Sequence, residues 1–180
     1  MIKFIKHINF IIAVLLTVFI ISCDETPPVE PEPDPVMGCK VEGEITVNYS
    51  SGKGFIGIIQ NEVFQYYFSS YKIINGREYG LLISLFPENP ADTSGVFPIV
   101  SQYDPPDSGN YAYAAFVVDN EKPTEIQFWA ESGSLDISFV SLGKKNNKIV
   151  GTFSFNALDK ATKQKSITVT DGWVNLVKEL

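Results

Sequence analysis

From Cys39 onward the chain alternates. Apolar residues recur at every second position through Tyr79, Leu81, Ile83 and Leu85, and again through Leu135, Ile137 and Phe139. Ile149, Gly151, Phe153 and Phe155 share one face while Thr152, Ser154 and Asn156 take the other, and Ile167 and Val169 repeat the pattern within Ser166 to Thr170. Successive side chains of a strand point to opposite sides, so a period of two marks strands with one buried face. Turn-forming residues stand between the runs: Asn75-Gly76, Pro87-Glu88-Asn89-Pro90, Asp104-Pro105-Pro106-Asp107-Ser108-Gly109, and Gly143 to Asn147. Ser51-Gly52-Lys53-Gly54 reads as a further hairpin turn, and Asn156 to Lys163 as a long hairpin loop rather than a helix. Some eight to ten short antiparallel strands with one apolar face each must close over one another. The sequence therefore predicts an all-β domain over residues 39–180, an antiparallel β-sandwich or a flattened barrel, and that length suffices for one domain only.

The first 38 residues follow other rules. Lys3 and Lys6 precede an apolar stretch from Ile8 to Ile21, broken only by Asn9 and Thr17. As a helix it would reach about 21 Å at roughly 1.5 Å per residue, short of a hydrocarbon core of roughly 30 Å. A signal peptide fits that length better than a spanning helix. Ile20-Ile21-Ser22-Cys23 resembles the lipobox of bacterial lipoproteins, a resemblance that implies cleavage after residue 22 and a diacylglycerol on Cys23. An uncleaved anchor with an incidental cysteine is the alternative. Two or more acyl chains hold a protein stably where one holds it marginally, at about 0.8 kcal/mol per buried CH₂. Residues 23–38 then form a tether with five prolines and five acids. Such a segment buries too little to fold and stays stiff, reaching up to roughly 45 Å at about 3.1 Å per residue. Acids directly after the cysteine resemble a surface-export signal of Bacteroidetes lipoproteins, whereas Asp24 under enteric-type sorting would imply inner-membrane retention. The expected location is bacterial and membrane-anchored, at the outer membrane on its surface or periplasmic side.

Composition excludes more than any motif selects. Cleavage takes Lys3 and Lys6 from the 14 basic residues and leaves 12 against 21 acids, a net charge of −9. His7, the one histidine, departs as well, so Ser-His-Asp and Cys-His mechanisms and an ordinary zinc site have no residue to run on. With Cys23 lipidated, Cys39 has no internal partner and is expected as a small buried hydrophobe. Nucleic acid is disfavoured, because neutralising phosphates takes clustered Lys and Arg. Lys144, Lys145 and Lys148 surround Asn146-Asn147 and read as a turn. No cofactor or metal motif is present; Ser51 to Gly54 lacks phosphate-loop spacing.

Three successive segments look familiar. Ser132-Gly133-Ser134-Leu135-Asp136-Ile137-Ser138-Phe139, Ile149-Val150-Gly151-Thr152-Phe153-Ser154-Phe155 and Ile167-Thr168-Val169-Thr170-Asp171-Gly172-Trp173 resemble the closing strands of a Bacteroidetes lipoprotein family of unknown function, which read G-x-L-x-I, V-x-G-T-F-S-F and V-T-I-T-x-G-x-F. Gly95-Val96-Phe97-Pro98-Ile99 is similar to that family's G-T-Y-x-L strand. The resemblance spans about half the domain. It implies a β fold and a lipid anchor, and it carries no catalytic residues. Gly151 and Gly172 suit close backbone approach or a bulge.

Three features are candidates for function. Tyr103, Asp104, Asp107, Asn110 and Tyr111 lie in a proline-stiffened loop able to present a ligand site, with oxygens that could also face calcium though in no EF-hand spacing. The alternative is a solvated hairpin connection. Tyr66, Tyr67, Tyr71, Tyr111, Tyr113, Trp129 and Trp173 supply aromatic faces for sugar stacking or protein anchoring. In Tyr66-Tyr67 and Phe128-Trp129 adjacent residues point to opposite faces, so one of each pair is expected exposed or in a second layer. The alternative is that both layers are core, or that the tyrosines ride half-buried on their strands. Glu125, Glu131 and Asp136 are the acids a carboxylate-dependent hydrolase would need, yet nothing in the sequence pairs them. The expectation is a non-catalytic lipoprotein domain that binds glycan or protein. A structural component of an outer-membrane assembly is the alternative, and a hydrolase the remoter one.

Overall fold

The computed structural model describes residues 34–60, 64–89, 94–142 and 146–179. The signal peptide, Cys23 and the tether up to residue 33 lie outside the described residues. Ten strands follow in order: β1 (Met37–Gly43), β2 (Val47–Ser51), β3 (Gly54–Gln60), β4 (Phe64–Ile74), β5 (Arg77–Phe86), β6 (Gly95–Val100), β7 (Tyr111–Val118), β8 (Ile126–Leu142), β9 (Asn146–Asp159) and β10 (Ser166–Glu179). They form one sheet in the order β2-β1-β10-β9-β8-β6-β7-β5-β4-β3. Every pairing is antiparallel except one parallel bridge, Ile99 to Ala112, between β6 and β7. The sheet does not close into a barrel, because β2 and β3 end it on either side. It doubles over instead, and the inward faces of all ten strands share one core.

The alternation read from the sequence sets that core. Tyr79, Leu81, Ile83 and Leu85 are buried, as are Leu135, Ile137, Ile149, Phe153, Phe155, Ile167 and Val169. Phe68, Phe97, Phe116 and Phe128 are fully enclosed, and burying a side chain of that size contributes roughly 1.5–3 kcal/mol. Asn75 (φ 50°) and Gly76 (φ 78°) form the two-residue β4–β5 hairpin, a turn that needs left-handed backbone at both positions. Cys39 is 5 % exposed within the core, as a small hydrophobe.

Several boundaries differ from expectation. β1 begins at Met37, two residues before Cys39, because the Met37 side chain is fully buried and its sulfur accepts a hydrogen bond from Ser70 Oγ (3.2 Å). Ser51 to Gly54 is no hairpin turn. β2 pairs with β1 and β3 with β4, so this turn carries the chain from one edge of the sheet to the other. Ser51 Oγ holds it, its one proton within reach of Lys53 O (2.9 Å) and Tyr71 O (2.8 Å) while it accepts from the Lys53 amide (3.1 Å). Asn156 to Asp159 belong to β9, and the loop shortens to the stretch before Ser166, with Asp159 Oδ1 accepting from the amides of Ala161 and Thr162. Asn146 and Asn147 open β9 opposite Glu179 and Lys178 rather than forming a turn. The connection carrying Asp104 to Gly109 is not a hairpin either, since β6 and β7 are parallel neighbours. The register slips between Ile137 and Phe139, after which Val140 packs on the core; the side chain of Phe139 lies outside the described residues.

Candidate functional site

Inward alternation fixes what faces out. With Tyr66, Phe68, Leu81, Ile83, Leu85, Ala114, Phe116 and Phe128 in the core, the outer face of β4, β5, β7 and β8 carries Gln65, Leu82, Ser84, Phe86, Tyr113, Ala115 and Trp129. Cross-strand register lines them up: Leu82 sits opposite Ala115, Ala115 opposite Trp129, and Ser84 opposite Tyr113. Together with Gln102 from the β6–β7 loop they line a groove of about 340 Å³.

The rings in this groove are held. Phe86 stacks on Tyr111 (centroids 4.9 Å, planes 11° apart) and meets Tyr113 edge-on at 4.9 Å, while Tyr111 and Tyr113 lie 5.4 Å apart. The Trp129 indole donates to Gln127 Oε1 (3.1 Å), the same oxygen that accepts from Lys160 Nζ (3.2 Å), and the Lys160 ammonium sits 5.5 Å from the indole centroid. Gln127 in turn donates to Glu125. Gln65 Nε2 donates to Ser84 Oγ (3.0 Å). Desolvation, reinforced by neighbouring Tyr111, pushes the Tyr113 hydroxyl up to about 12, so it stays a protonated donor at neutral pH. The result is a fixed aromatic surface beside amide and hydroxyl groups. Such a surface stacks on an apolar ligand face while forked donors and acceptors take the ligand's hydroxyls.

The five residues expected in the loop are placed differently from one another. Tyr111 buttresses the groove through Phe86 and Tyr113. Asn110 Oδ1 accepts from the Glu88 amide (2.8 Å), a structural bond between two connections. Tyr103 is 58 % exposed, and the Lys163 ammonium lies 4.3 Å from its ring centroid. Asp104 and Asp107 are exposed. Among the described residues no group of three or more His, Cys, Asp or Glu is gathered as for a metal. Of the aromatic pairs, Tyr66 and Phe128 take the core while Tyr67 and Trp129 are half-buried outside it. Gln65, Ser84, Phe86 and Gln102 were not singled out in the sequence. The signal for Phe86 is its odd place at the end of the Tyr79–Leu85 run; the amides have none, since a Gln on a strand's polar face is ordinary.

The acids engage separate partners. Glu125 accepts from the Glu121 amide (2.9 Å), and Glu131 pairs with Lys163 (3.2 Å). Asp136 lines an open cleft of about 400 Å³ on the outer face of β8–β10, with Thr152, Asp171 and Trp173. There Asp171, in left-handed backbone (φ 49°), is ion-paired with Lys40 at 2.6 Å. No family model, curated protein or solved structure matches this chain.

Proposed function

We propose that the chain is a lipid-anchored, non-catalytic binding module, held to the membrane through Cys23, whose outer-face groove takes carbohydrate. The observation that carries this reading is the fixed Trp129, Phe86 and Tyr113 rings beside Gln65, Ser84 and Gln102 in a groove of about 340 Å³. A sugar ring offers an apolar C–H face and a rim of hydroxyls, the pairing this lining complements. Net acidic charge favours neutral over anionic glycans. Against the hydrolase alternative, glycoside cleavage needs one carboxyl kept protonated opposite a second. Asp171, beside Asp136, is instead tied to a lysine in an exposed ion pair. The anchor itself rests on the Ile20-Ile21-Ser22-Cys23 sequence, and a native N-terminal peptide starting at Cys23 with added acyl mass is expected.

The test is a glycan array with the detergent-solubilised full-length protein, alongside Trp129→Ala and Tyr113→Ala. Wild type is expected to retain neutral glycans, with binding weakened about tenfold or more in each variant, the scale of one lost aromatic contact. Absence of any glycan signal, or equal signal from Trp129→Ala, would rule the groove out.

A further inference from the structure

The groove continues along β5 in the direction away from Phe86. Leu82, at its floor, also lines a second groove of about 300 Å³ further along the same outer face, bounded by Phe55, Tyr71, Gly80 and Val117. Phe55 and Tyr71 are 53 % and 44 % exposed and stack nearly parallel (6.4 Å, 12°). Register places the pieces in sequence along β5: Tyr71 opposite Gly80, Ser69 and Ala115 on either side of Leu82, Tyr113 opposite Ser84, and Tyr111 opposite Phe86. The floor between the two sets of rings is made of small or short residues.

Two glycines keep it open, in different ways. A Cβ at Gly57 would run into the Tyr67 ring, so that glycine lets Tyr67 lie over β3. Gly80 is not crowded: a Cβ there would meet its nearest atoms, on Ser70 and Val117, at 3.9 Å, and its φ is not left-handed. A side chain at position 80 is therefore sterically allowed, and its absence leaves the floor unobstructed. From Gly80 to Phe86 the strand rises roughly 20 Å at about 3.3 Å per residue.

We infer that the two grooves are one trough along β5 that takes a linear, neutral oligosaccharide lengthwise, with Phe86, Tyr113 and Trp129 as one stacking platform and Phe55 with Tyr71 as the other. This rests on the carbohydrate reading above and adds chain length and orientation to it. A single sugar reaches one platform; a longer chain reaches both. Ser69 beside Leu82 and, further out, Glu78 and Asn120 supply polar partners for its hydroxyls.

The experiment is calorimetric titration of the solubilised full-length protein with neutral linear glucan and xylan oligosaccharides, from the monosaccharide upward. Affinity is expected to rise about tenfold or more as the chain grows from one platform's reach to both, a gain that the double variant Phe55→Ala, Tyr71→Ala abolishes while leaving the shortest ligands unchanged. Gly80→Tyr is expected to melt like wild type yet lose the same gain, and Phe55 and Tyr71 are exposed enough for their variant to fold should Gly80→Tyr not. Affinity flat with chain length, or a length gain that survives both variants, overturns the trough while leaving the single-platform reading standing. No Trp129-dependent carbohydrate binding at all removes both.

Discussion

Asp119 shows how much one side chain can fasten. It sits at the end of β7 in left-handed backbone (φ 55°) and is 7 % exposed. Its carboxylate accepts from the Glu78 amide (3.2 Å), Arg77 Nε (3.2 Å), Lys122 Nζ (3.3 Å) and Thr124 Oγ1 (3.4 Å), joining the start of β5 to the β7–β8 connection. Desolvation raises its pKa, but the Glu78 amide and the two cations outweigh that and hold the carboxyl below the usual range. A depressed folded pKa stabilises above the unfolded value of about 3.9, and that stability is lost as pH falls through the folded value. Asp119→Asn keeps the shape and tolerates the positive φ, so it should lower the melting temperature at pH 7 and flatten the acid limb of a melting-temperature profile below about pH 4. Identical acid limbs in variant and wild type would exclude this role. Site residues are hard to read at this scale. Trp129 was legible as one of an adjacent aromatic pair whose members take opposite faces, and Tyr113 only as one of seven aromatics. Gln65, Ser84 and Gln102 matter only because folding puts them beside those rings.

At the level of the strand, alternation was a sufficient guide to faces and an insufficient one to partners. The inward runs are buried as their period of two requires, up to the slip after Ile137 that hands the core position to Val140. Yet β8 is 17 residues long and forks: Ile126 to Trp129 pair with β7, and beyond a bulge between Ala130 and Ser132 the strand pairs with β6. Period two says nothing about such a change of neighbour, and for the same reason the Ser51–Gly54 turn passed for a hairpin. Glycine was more telling. Gly151 and Gly172 were legible as points of close approach, and a Cβ at Gly172 would fall 2.4 Å from Phe153 O and against the Phe153 ring, within the β10 bulge. Gly172→Ala is therefore expected to cost about 1–3 kcal/mol, the range for overpacking a filled site. Gly80→Ala, with no neighbour nearer than 3.9 Å, should be neutral or stabilise by up to about 1 kcal/mol. Chemical denaturation of the pair decides it, and equal stabilities would show that Phe153 simply moves aside.

The molecule as a whole is held shut without a closing ladder. β2 and β4 belong to opposite ends of the sheet order and share no backbone pairing, but they meet where the sheet doubles over. Tyr49 of β2 and Ser70 of β4 are 2 % and 3 % exposed and bond through their hydroxyls at 2.7 Å; Ser70 also donates to Met37 Sδ in β1, and Ser51 Oγ reaches Tyr71 O (2.8 Å). Burial pushes the Tyr49 phenol up to about 12, its bonds to Ser70 and Ser51 only partly offsetting that, so the seam stays neutral through the physiological range. Neither residue stands out in the sequence, because alternation assigns a face to each position and not the neighbour it meets across the fold. Because a buried hydroxyl pair contributes as a unit, Tyr49→Phe and Ser70→Ala should each cost about 0.5–1.5 kcal/mol, and the double variant less than their sum. Urea unfolding followed by tryptophan fluorescence measures all three. Strict additivity would mean that the two hydroxyls act independently, and that apolar packing around Met37 and Phe116 alone keeps the sheet folded over.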